Sequence, residues 1–150
     1  MSDRRRVLPP VYFLGALVAM AILHLRAPLV RVPEPPLVLL GAPLVVLGFA
    51  LAIWGANLFG RAGTTIKPFE KSSVLVTNGP FRFTRNPMYL SMTVVLLGVW
   101  LLLGTLGPGL IVPIFVVTIQ RRFILVEEAM LRSTFGAEYE AYLQRVRRWI

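Results

Sequence analysis

Apolar residues fill four long segments of this chain, and shorter polar connections separate them. The segments cover residues 8–25, 37–59, 88–106 and 110–126, and the polar triplet "QRR" at 120–122 interrupts the last one. Each approaches the ~20 residues that an α-helix needs to cross a bilayer. Lipid cannot hydrogen-bond the backbone, and no segments of about ten residues alternate as barrel strands do. The pattern therefore predicts an all-α integral membrane bundle of about four transmembrane helices.

Polar stretches complete a single predicted domain that covers residues 1–150. A long loop is expected at 61–87, with a turn at "NGP". After the fourth span, Gly136 is expected to end one helix, and an amphipathic helix is predicted at 137–148. Its apolar side carries Tyr139 and Tyr142, and the helix is expected to lie along the membrane surface. These tyrosines are interpreted as interfacial anchors or as ligand contacts.

Small residues in the second span predict a helix-packing surface. Gly48, Ala52, Ala56 and Gly60 recur every four residues. Such a stripe lets a neighbouring transmembrane helix approach closely. The stripe is interpreted as packing rather than chemistry.

Charge predicts the orientation of the bundle. Composition is 56% hydrophobic and 15% charged, with a mean hydropathy of +0.70, outside the range of soluble proteins. Of the 16 Lys and Arg residues, twelve fall before the first span, in the central loop or after the fourth span, and Arg121 and Arg122 of the interrupting triplet, counted as cytoplasmic, make fourteen. The positive-inside rule then predicts a multi-pass protein with both termini and the central loop in the cytoplasm. The basic excess matches anionic lipid headgroups, and no basic groove with interleaved aromatic residues indicates nucleic-acid binding.

Missing residue types exclude several kinds of chemistry. The chain has no cysteine and only one histidine, His24, which argues against sulfur-ligated and imidazole-based metal sites. No G-x-G-x-x-G motif follows a predicted strand, which excludes a soluble dinucleotide-binding type of methyltransferase.

A polar cluster precedes the third span, in "GPFRFTRNPMYLSM" at 79–92. Pro87 suits the first position of a helix and disfavours helical geometry at Asn86, so Arg85 and Asn86 are expected at the helix mouth. Arg85 can clamp a carboxylate in fork geometry. Phe81 and Tyr89 offer aromatic faces for a soft cation. These features predict a site for a zwitterionic ligand.

Two adjacent glutamates lie on the same predicted side of the membrane. Glu127 and Glu128 project about 100° apart on a helix, so they cannot share one face. Glu128 is expected to pair with Arg132 at i, i+4, which leaves Glu127 without a local partner. Because a carboxylate at membrane depth is costly, Glu127 is interpreted as a functional group that receives an ammonium or hydroxyl group.

The polar motifs also resemble those of a known group. "GPFRFTRNPMYL" and the later "EEAMLRSTFGAEYEAYLQRV" are similar to the isoprenylcysteine carboxyl methyltransferase and phospholipid methyltransferase superfamily of integral membrane enzymes. The resemblance covers residues 79–146 and implies S-adenosylmethionine as cofactor, held near the cytoplasmic surface. It places the role of the motif arginine on Arg85, that of the tyrosine on Tyr89, and those of the paired glutamates on Glu127 and Glu128. Asn86 stands where the family commonly has histidine, so it can hydrogen-bond a ligand but cannot exchange a proton near neutral pH.

The resemblance implies methyl transfer to a membrane-resident or lipophilic acceptor at the cytoplasmic face. Arg85 and Glu127 are the candidate catalytic residues, with Glu127 as the group that accepts a proton. An amine headgroup, a carboxylate and a smaller apolar molecule are all compatible acceptors. An NADPH-dependent membrane reductase, which shares Arg-x-Pro-x-Tyr motifs, and a non-catalytic membrane scaffold are the alternatives. The candidate cofactor-binding residues are Gly79, Phe81, Arg85, Asn86, Pro87, Tyr89, Glu127, Glu128 and Tyr139.

Overall fold

The structure is a computed structural model that describes residues 7–31, 37–64 and 72–150. These residues form five helices, two of them preceded by short 3-10 turns at Leu37–Leu40 and Gly79–Arg82. The predicted all-helical membrane architecture is confirmed for the part of the chain that is described. The helices are α1 Pro9–Arg26, α2 Gly41–Ala62, α3 Pro87–Leu103, α4 Leu106–Phe135 and α5 Ala137–Arg145.

Three helical stretches are long and apolar enough to cross a membrane, namely α1, Leu37–Ala62 and α4. The 17 residues of α3 lie at the lower end of the spanning range. The first two spans agree with the sequence prediction to within three residues, since α2 continues to Ala62. Because of this extension the connection to α3 starts later than predicted, and residues 65–71 of the predicted loop lie outside the described residues.

The predicted fourth span, 110–126, is too short. Helix α4 runs from Leu106 to Phe135 and passes through the polar triplet without a break. Residues Gln120–Ile124 form a π-helical turn, which accommodates an extra residue while the chain stays helical. Glu127 and Glu128 consequently lie within a continuous helix rather than at its end.

Helices α2 and α3 pack through glycines, of which only Gly48 belongs to the predicted stripe. The buried glycines of α2 are Gly41, Gly48 and Gly55, whereas Gly60 is exposed. Residues seven apart on a helix differ by only about 20° in their direction around the axis, so these glycines stay on one face. Residues four apart differ by about 40° around the axis, so the later members of the predicted stripe turn away from the contact face. A Cβ at Gly98 of α3 would lie 2.6 Å from the Gly41 carbonyl oxygen, which measures how closely the two backbones approach.

The central core joins α1, α3 and α4. Met20, Leu96, Ile119 and Ile124 are fully buried there, and Tyr89 belongs to the same cluster. Burial of such side chains contributes roughly 1.5–3 kcal/mol each. This core holds α3 beside α4 and thereby sets Tyr89 against the second half of α4.

The turn into α5 depends on Gly136. Its φ of 50° and ψ of −121° suit glycine, and α4 ends there as predicted. Helix α5 ends at Arg145, three residues earlier than predicted. Tyr139 and Tyr142 are 1% and 4% exposed and pack within the protein against α4 and Leu75, so their interpretation as membrane-surface anchors is wrong.

We expect Gly98→Ala to destabilise the bundle by about 1–3 kcal/mol, because the new methyl group would press on a backbone carbonyl that cannot rotate away. The matched control is Gly60→Ala, whose methyl group meets no atom within 4 Å. Alanine is the better helix former, so this control should unfold at the wild-type temperature or slightly above it. Thermal unfolding of both variants in one detergent tests the prediction. Equal unfolding temperatures would contradict the close backbone approach of α2 and α3.

Candidate functional site

A cavity of about 370 Å³ lies at one end of the bundle. The start of α1, the end of α2, the start of α3, the second half of α4 and α5 all contribute to its wall. Its volume is within the range of small-molecule sites. Eight of the nine predicted cofactor-binding residues line it: Phe81, Arg85, Asn86, Pro87, Tyr89, Glu127, Glu128 and Tyr139.

Gly79 is the predicted site residue that does not line the cavity. Its φ is +59°, and a Cβ there would lie 2.6 Å from Leu58 Cδ1. Its place in the motif therefore reflects a tight turn packed against α2. The same turn brings Phe81 edge-to-face against Phe59, with the ring centres 5.3 Å apart.

Tyr89 and Glu127 form the contact between α3 and α4 at the cavity. The Tyr89 hydroxyl donates a hydrogen bond to Glu127 Oε1 at 2.6 Å. A bond this short is typical of a carboxylate acceptor. No hydrogen bond to Glu127 Oε2 is found among the described residues. The prediction that Glu127 lacks a partner within its own helix agrees with this geometry, since the partner comes from α3.

Glu128 is held by two arginines, neither of which is the predicted one. The guanidinium of Arg148 binds it in fork geometry, with Nε 2.9 Å from Oε1 and Nη2 2.8 Å from Oε2. Arg85 Nη2 lies 3.2 Å from Oε1. Arg132 instead pairs with Glu140 of α5, where both side chains are exposed. The predicted Glu128–Arg132 pair is therefore wrong, because the turn at Gly136 offers Arg132 a carboxylate nearer to solvent.

Arg85 retains an unused hydrogen-bond donor. Its Nε is buried and has no hydrogen-bond partner among the described residues. A buried donor without a partner is unfavourable, and in a native protein it calls for an explanation such as a ligand. Because Arg85 also lines the cavity, this donor fits an anionic group bound there.

Asn86 is largely engaged with the protein. Its side-chain amide donates to the Arg148 carbonyl at 3.0 Å, and its backbone N–H donates to Thr84 Oγ1 at 3.1 Å. Thr84 Oγ1 also donates to the Arg148 carbonyl. The residue at the family's histidine position therefore anchors another segment of the chain as well as lining the cavity.

That segment, residues 146–149, is called the strap. It crosses from the end of α5 to the turn before α3, where the backbone N–H of Arg85 donates to the Arg147 carbonyl at 3.0 Å. Further on, Trp149 Nε1 donates to Gln120 Oε1 in the π-helical turn of α4. The strap thus connects three parts of the chain that carry site residues.

Sequence reasoning missed Arg148 and the role of Tyr142. Arg148 lies in a basic run that indicates only topology when read from the sequence, and no local pattern separates it from its neighbour Arg147. Tyr142 donates a hydrogen bond to the Phe81 carbonyl at 2.7 Å.

Burial, with the nearby Glu128 charge, raises the pKa of Tyr139 to about 12, and burial also raises the pKa of Tyr142. Both phenols are consequently neutral hydrogen-bonding groups at physiological pH.

The rest of the cavity wall is mainly apolar. Thioethers and aliphatic side chains line the same space as the charged residues. Methionine adapts to irregular apolar ligands, because its side chain is flexible and polarisable. The apolar lining consists of Leu8, Pro9, Pro10, Phe59, Val74, Leu75, Val76, Met88, Met92, Met130 and Leu131.

Comparison with known proteins agrees with this helical membrane architecture. The chain superimposes over its whole length on the structure of the eukaryotic intramembrane Ras methyltransferase ICMT (isoprenylcysteine carboxyl methyltransferase), with a TM-score of 0.69 and 24% identity. It covers 53% of that protein. The fold is therefore that of an intramembrane methyltransferase, and this chain is about half as long.

Sequence comparison identifies the family. The family model for phospholipid methyltransferase matches residues 37–138, and the chain belongs to this family. It is 34% identical over 77 residues to the protein-S-isoprenylcysteine O-methyltransferase of Schizosaccharomyces pombe, of which it covers 33%. It is also 46% identical over 63 residues to an uncharacterised protein of Haemophilus influenzae, which it covers completely. The superfamily resemblance seen in the motifs is confirmed.

Proposed function

We propose that this protein transfers a methyl group from S-adenosylmethionine to a lipophilic acceptor at the cytoplasmic face of the membrane. The observation that carries the proposal is the cavity, whose lining combines charged and hydrogen-bonding groups with a larger set of apolar side chains. Membership in the phospholipid methyltransferase family supports the same reaction class. When bound, the cofactor supplies a methyl group on a positively charged sulfur.

The charged wall fits the cofactor's amino-acid end. The unpartnered Nε of Arg85 is a donor for a carboxylate, and Arg85 stays charged at any physiological pH. Glu127 lies across the same cavity and offers Oε2 to an ammonium group or to the acceptor. Tyr89 fixes the other oxygen of Glu127 and so orients this carboxylate. Tyr139 adds a neutral aromatic wall.

The apolar wall fits a lipophilic acceptor. Met88 and Met92 of α3 and Met130 of α4 line the cavity together with the charged residues of the same helices. The start of α1 also contributes, through Pro9 and Pro10. An acceptor with an apolar chain can place its nucleophilic end next to Glu127 while its chain contacts these side chains.

Catalysis on this proposal is mainly positioning. Holding the nucleophile in line with the methyl carbon is worth several kcal/mol, since the encounter becomes intramolecular. Glu127 Oε2 accepts the proton that an amine or hydroxyl acceptor loses, while Tyr89 keeps hydrogen-bonded to Oε1. Glu128 takes no part in this transfer, because both of its oxygens bind arginine.

The site is assigned to the cytoplasmic side on the basis of charge. The start of α1, the end of α2 and the strap lie at the cavity end of the bundle, and most of the basic residues that the structure describes belong to the segments at this end. Arg31 pairs with Thr105 in an isolated bridge at the other end. This arrangement supports both termini on one side of the membrane, and the positive-inside rule makes that side cytoplasmic.

The cofactor assignment is tested by titrating the purified protein in detergent with S-adenosylmethionine, its demethylated product and NADPH. We expect the first two ligands to bind and NADPH not to bind.

We further expect Arg85→Ala to weaken cofactor binding by about 2–4 kcal/mol, because a charge-assisted contact is lost. Folding should survive, since Arg148 still neutralises Glu128. Arg132→Ala is the matched control, because Arg132 is exposed and lies outside the cavity. Equal, small losses in both variants, or preferential binding of NADPH, would refute the assignment.

Glu127→Gln should slow methyl transfer by about tenfold or more, because the amide keeps the hydrogen bond from Tyr89 but cannot accept a proton. The control is Glu140→Gln, which alters an exposed carboxylate outside the cavity. Single-turnover rates with a lipid extract as acceptor, at matched unfolding temperatures, provide the comparison. A wild-type rate for Glu127→Gln would remove the carboxylate from the mechanism.

Reporter fusions after Gly107 and after Ile150 test the orientation. We expect the Gly107 fusion to report from the far side of the membrane and the Ile150 fusion from the cytoplasm, because twelve of the 16 basic residues precede the first predicted span, lie in the central loop or follow the fourth predicted span. A cytoplasmic signal from the Gly107 fusion would contradict the proposed topology.

A further inference from the structure

Glu128 distributes its two oxygens unequally between two guanidinium groups. Arg148 occupies both of them, at 2.9 and 2.8 Å, in the fork geometry that arginine and carboxylate prefer. Arg85 reaches only Oε1, through Nη2, at 3.2 Å. The Nε of Arg85 is left buried without a hydrogen-bond partner among the described residues. The two arginines therefore compete for one buried carboxylate, and Arg148 holds the better position.

We propose that Arg148 is a positioning residue that keeps Arg85 available to an anionic ligand. By holding both oxygens of Glu128, it prevents Glu128 from taking Arg85 in a fork of its own. Arg85 then keeps an unused donor next to the cavity. The proposal deepens the proposed function, on which it rests for the identity of the anion as the cofactor's carboxylate.

Hydrogen bonds to the strap fix the position of the Arg148 backbone. The carbonyl of Arg148 accepts hydrogen bonds from Thr84 and Asn86, so its backbone is fixed directly beside the turn that carries Arg85. The adjacent Arg147 carbonyl binds the Arg85 backbone N–H. From this fixed backbone, the Arg148 side chain reaches Glu128 on α4. Arg147 makes no salt bridge among the described residues, and it is exposed.

Electrostatics predicts what happens without Arg148. Glu128 is 7% exposed, so it cannot regain full hydration. A buried carboxylate that loses one cation is drawn to the cation that remains. Arg85 is already in contact with Glu128 through Nη2, and we expect it to turn so that Nε and a terminal nitrogen bind the carboxylate in a fork. That movement satisfies the unused Nε internally, and the donor is then lost to a ligand.

The experiment is a rescue. The variants are Arg148→Ala, Glu128→Gln, the double variant, and Arg145→Ala as a control, since Arg145 is an exposed arginine of the same basic run outside the strap and the main cavity. Binding of S-adenosylhomocysteine is measured by calorimetry in detergent. We expect Arg148→Ala to weaken binding about tenfold or more, and Arg145→Ala to leave it within about twofold. Adding Glu128→Gln to Arg148→Ala should restore most of the lost affinity, because a neutral amide does not capture Arg85.

A merely structural role of Arg148 predicts a different binding affinity for the double variant. If the ion pair only stabilised the fold, removing its second member would not restore binding, and the double variant would bind as weakly as Arg148→Ala or more weakly. That result would overturn the proposal. Unfolding temperatures of all variants show whether a loss of binding follows a loss of fold.

A second readout separates this proposal from the proposed function. The ¹⁵N resonance of Arg85 Nε, assigned by its loss in Arg85→Lys, reports whether this donor has an acceptor. Without ligand, we expect slower Nε–H exchange with solvent in Arg148→Ala than in wild type, and wild-type exchange in the double variant. Unchanged exchange in Arg148→Ala would overturn the positioning role. The expected exchange pattern in a wild-type protein that binds no S-adenosylhomocysteine would support the positioning role and refute the cofactor assignment.

Discussion

A carboxylate buried at the edge of an apolar helix bundle must be neutralised, and the rest of the site depends on how this is done for Glu128. Its two partners come from distant parts of the chain, Arg85 before α3 and Arg148 in the strap. Such a buried arrangement adds little net stability compared with apolar packing, but breaking it is costly. Its effect in this protein is to fix α4, the turn before α3 and the strap in one relative arrangement.

The neighbouring glutamate, Glu127, has a different partner because of helix geometry. Adjacent residues project about 100° apart, so Glu128 can face the strap while Glu127 faces α3 and the cavity. The fully buried core of α1, α3 and α4 holds Tyr89 within hydrogen-bonding distance of Glu127. One oxygen of Glu127 is thus fixed by the protein. Of two identical side chains that line the cavity, one is therefore held by arginines and the other by a tyrosine.

The cavity combines two environments that a membrane methyltransferase needs. Its charged wall is built from the turn before α3 and the second half of α4, and its apolar wall includes methionines of the same two helices. This chain covers about half of the eukaryotic ICMT structure, and its described residues nevertheless supply both the charged and the apolar wall. The helices that carry the phospholipid methyltransferase match, residues 37–138, contribute most of the lining, while the strap lies beyond the matched region.

The sequence by itself determined the membrane location, the helical class, the approximate spans and eight residues of the cavity wall. It did so because lipid demands long apolar helices, and because the motif residues lie close together along the chain, in 79–92 and 127–139. The tertiary structure alone decided which charges pair. Glu128 has Arg132 one turn away, yet it binds Arg148, because Gly136 reverses the chain and returns the strap to the site. It also decided which glycines pack, since the face that α2 presents to α3 depends on how the two helices dock. Local spacing predicts what a residue can reach within its own helix, whereas pairing between segments depends on where folding brings them.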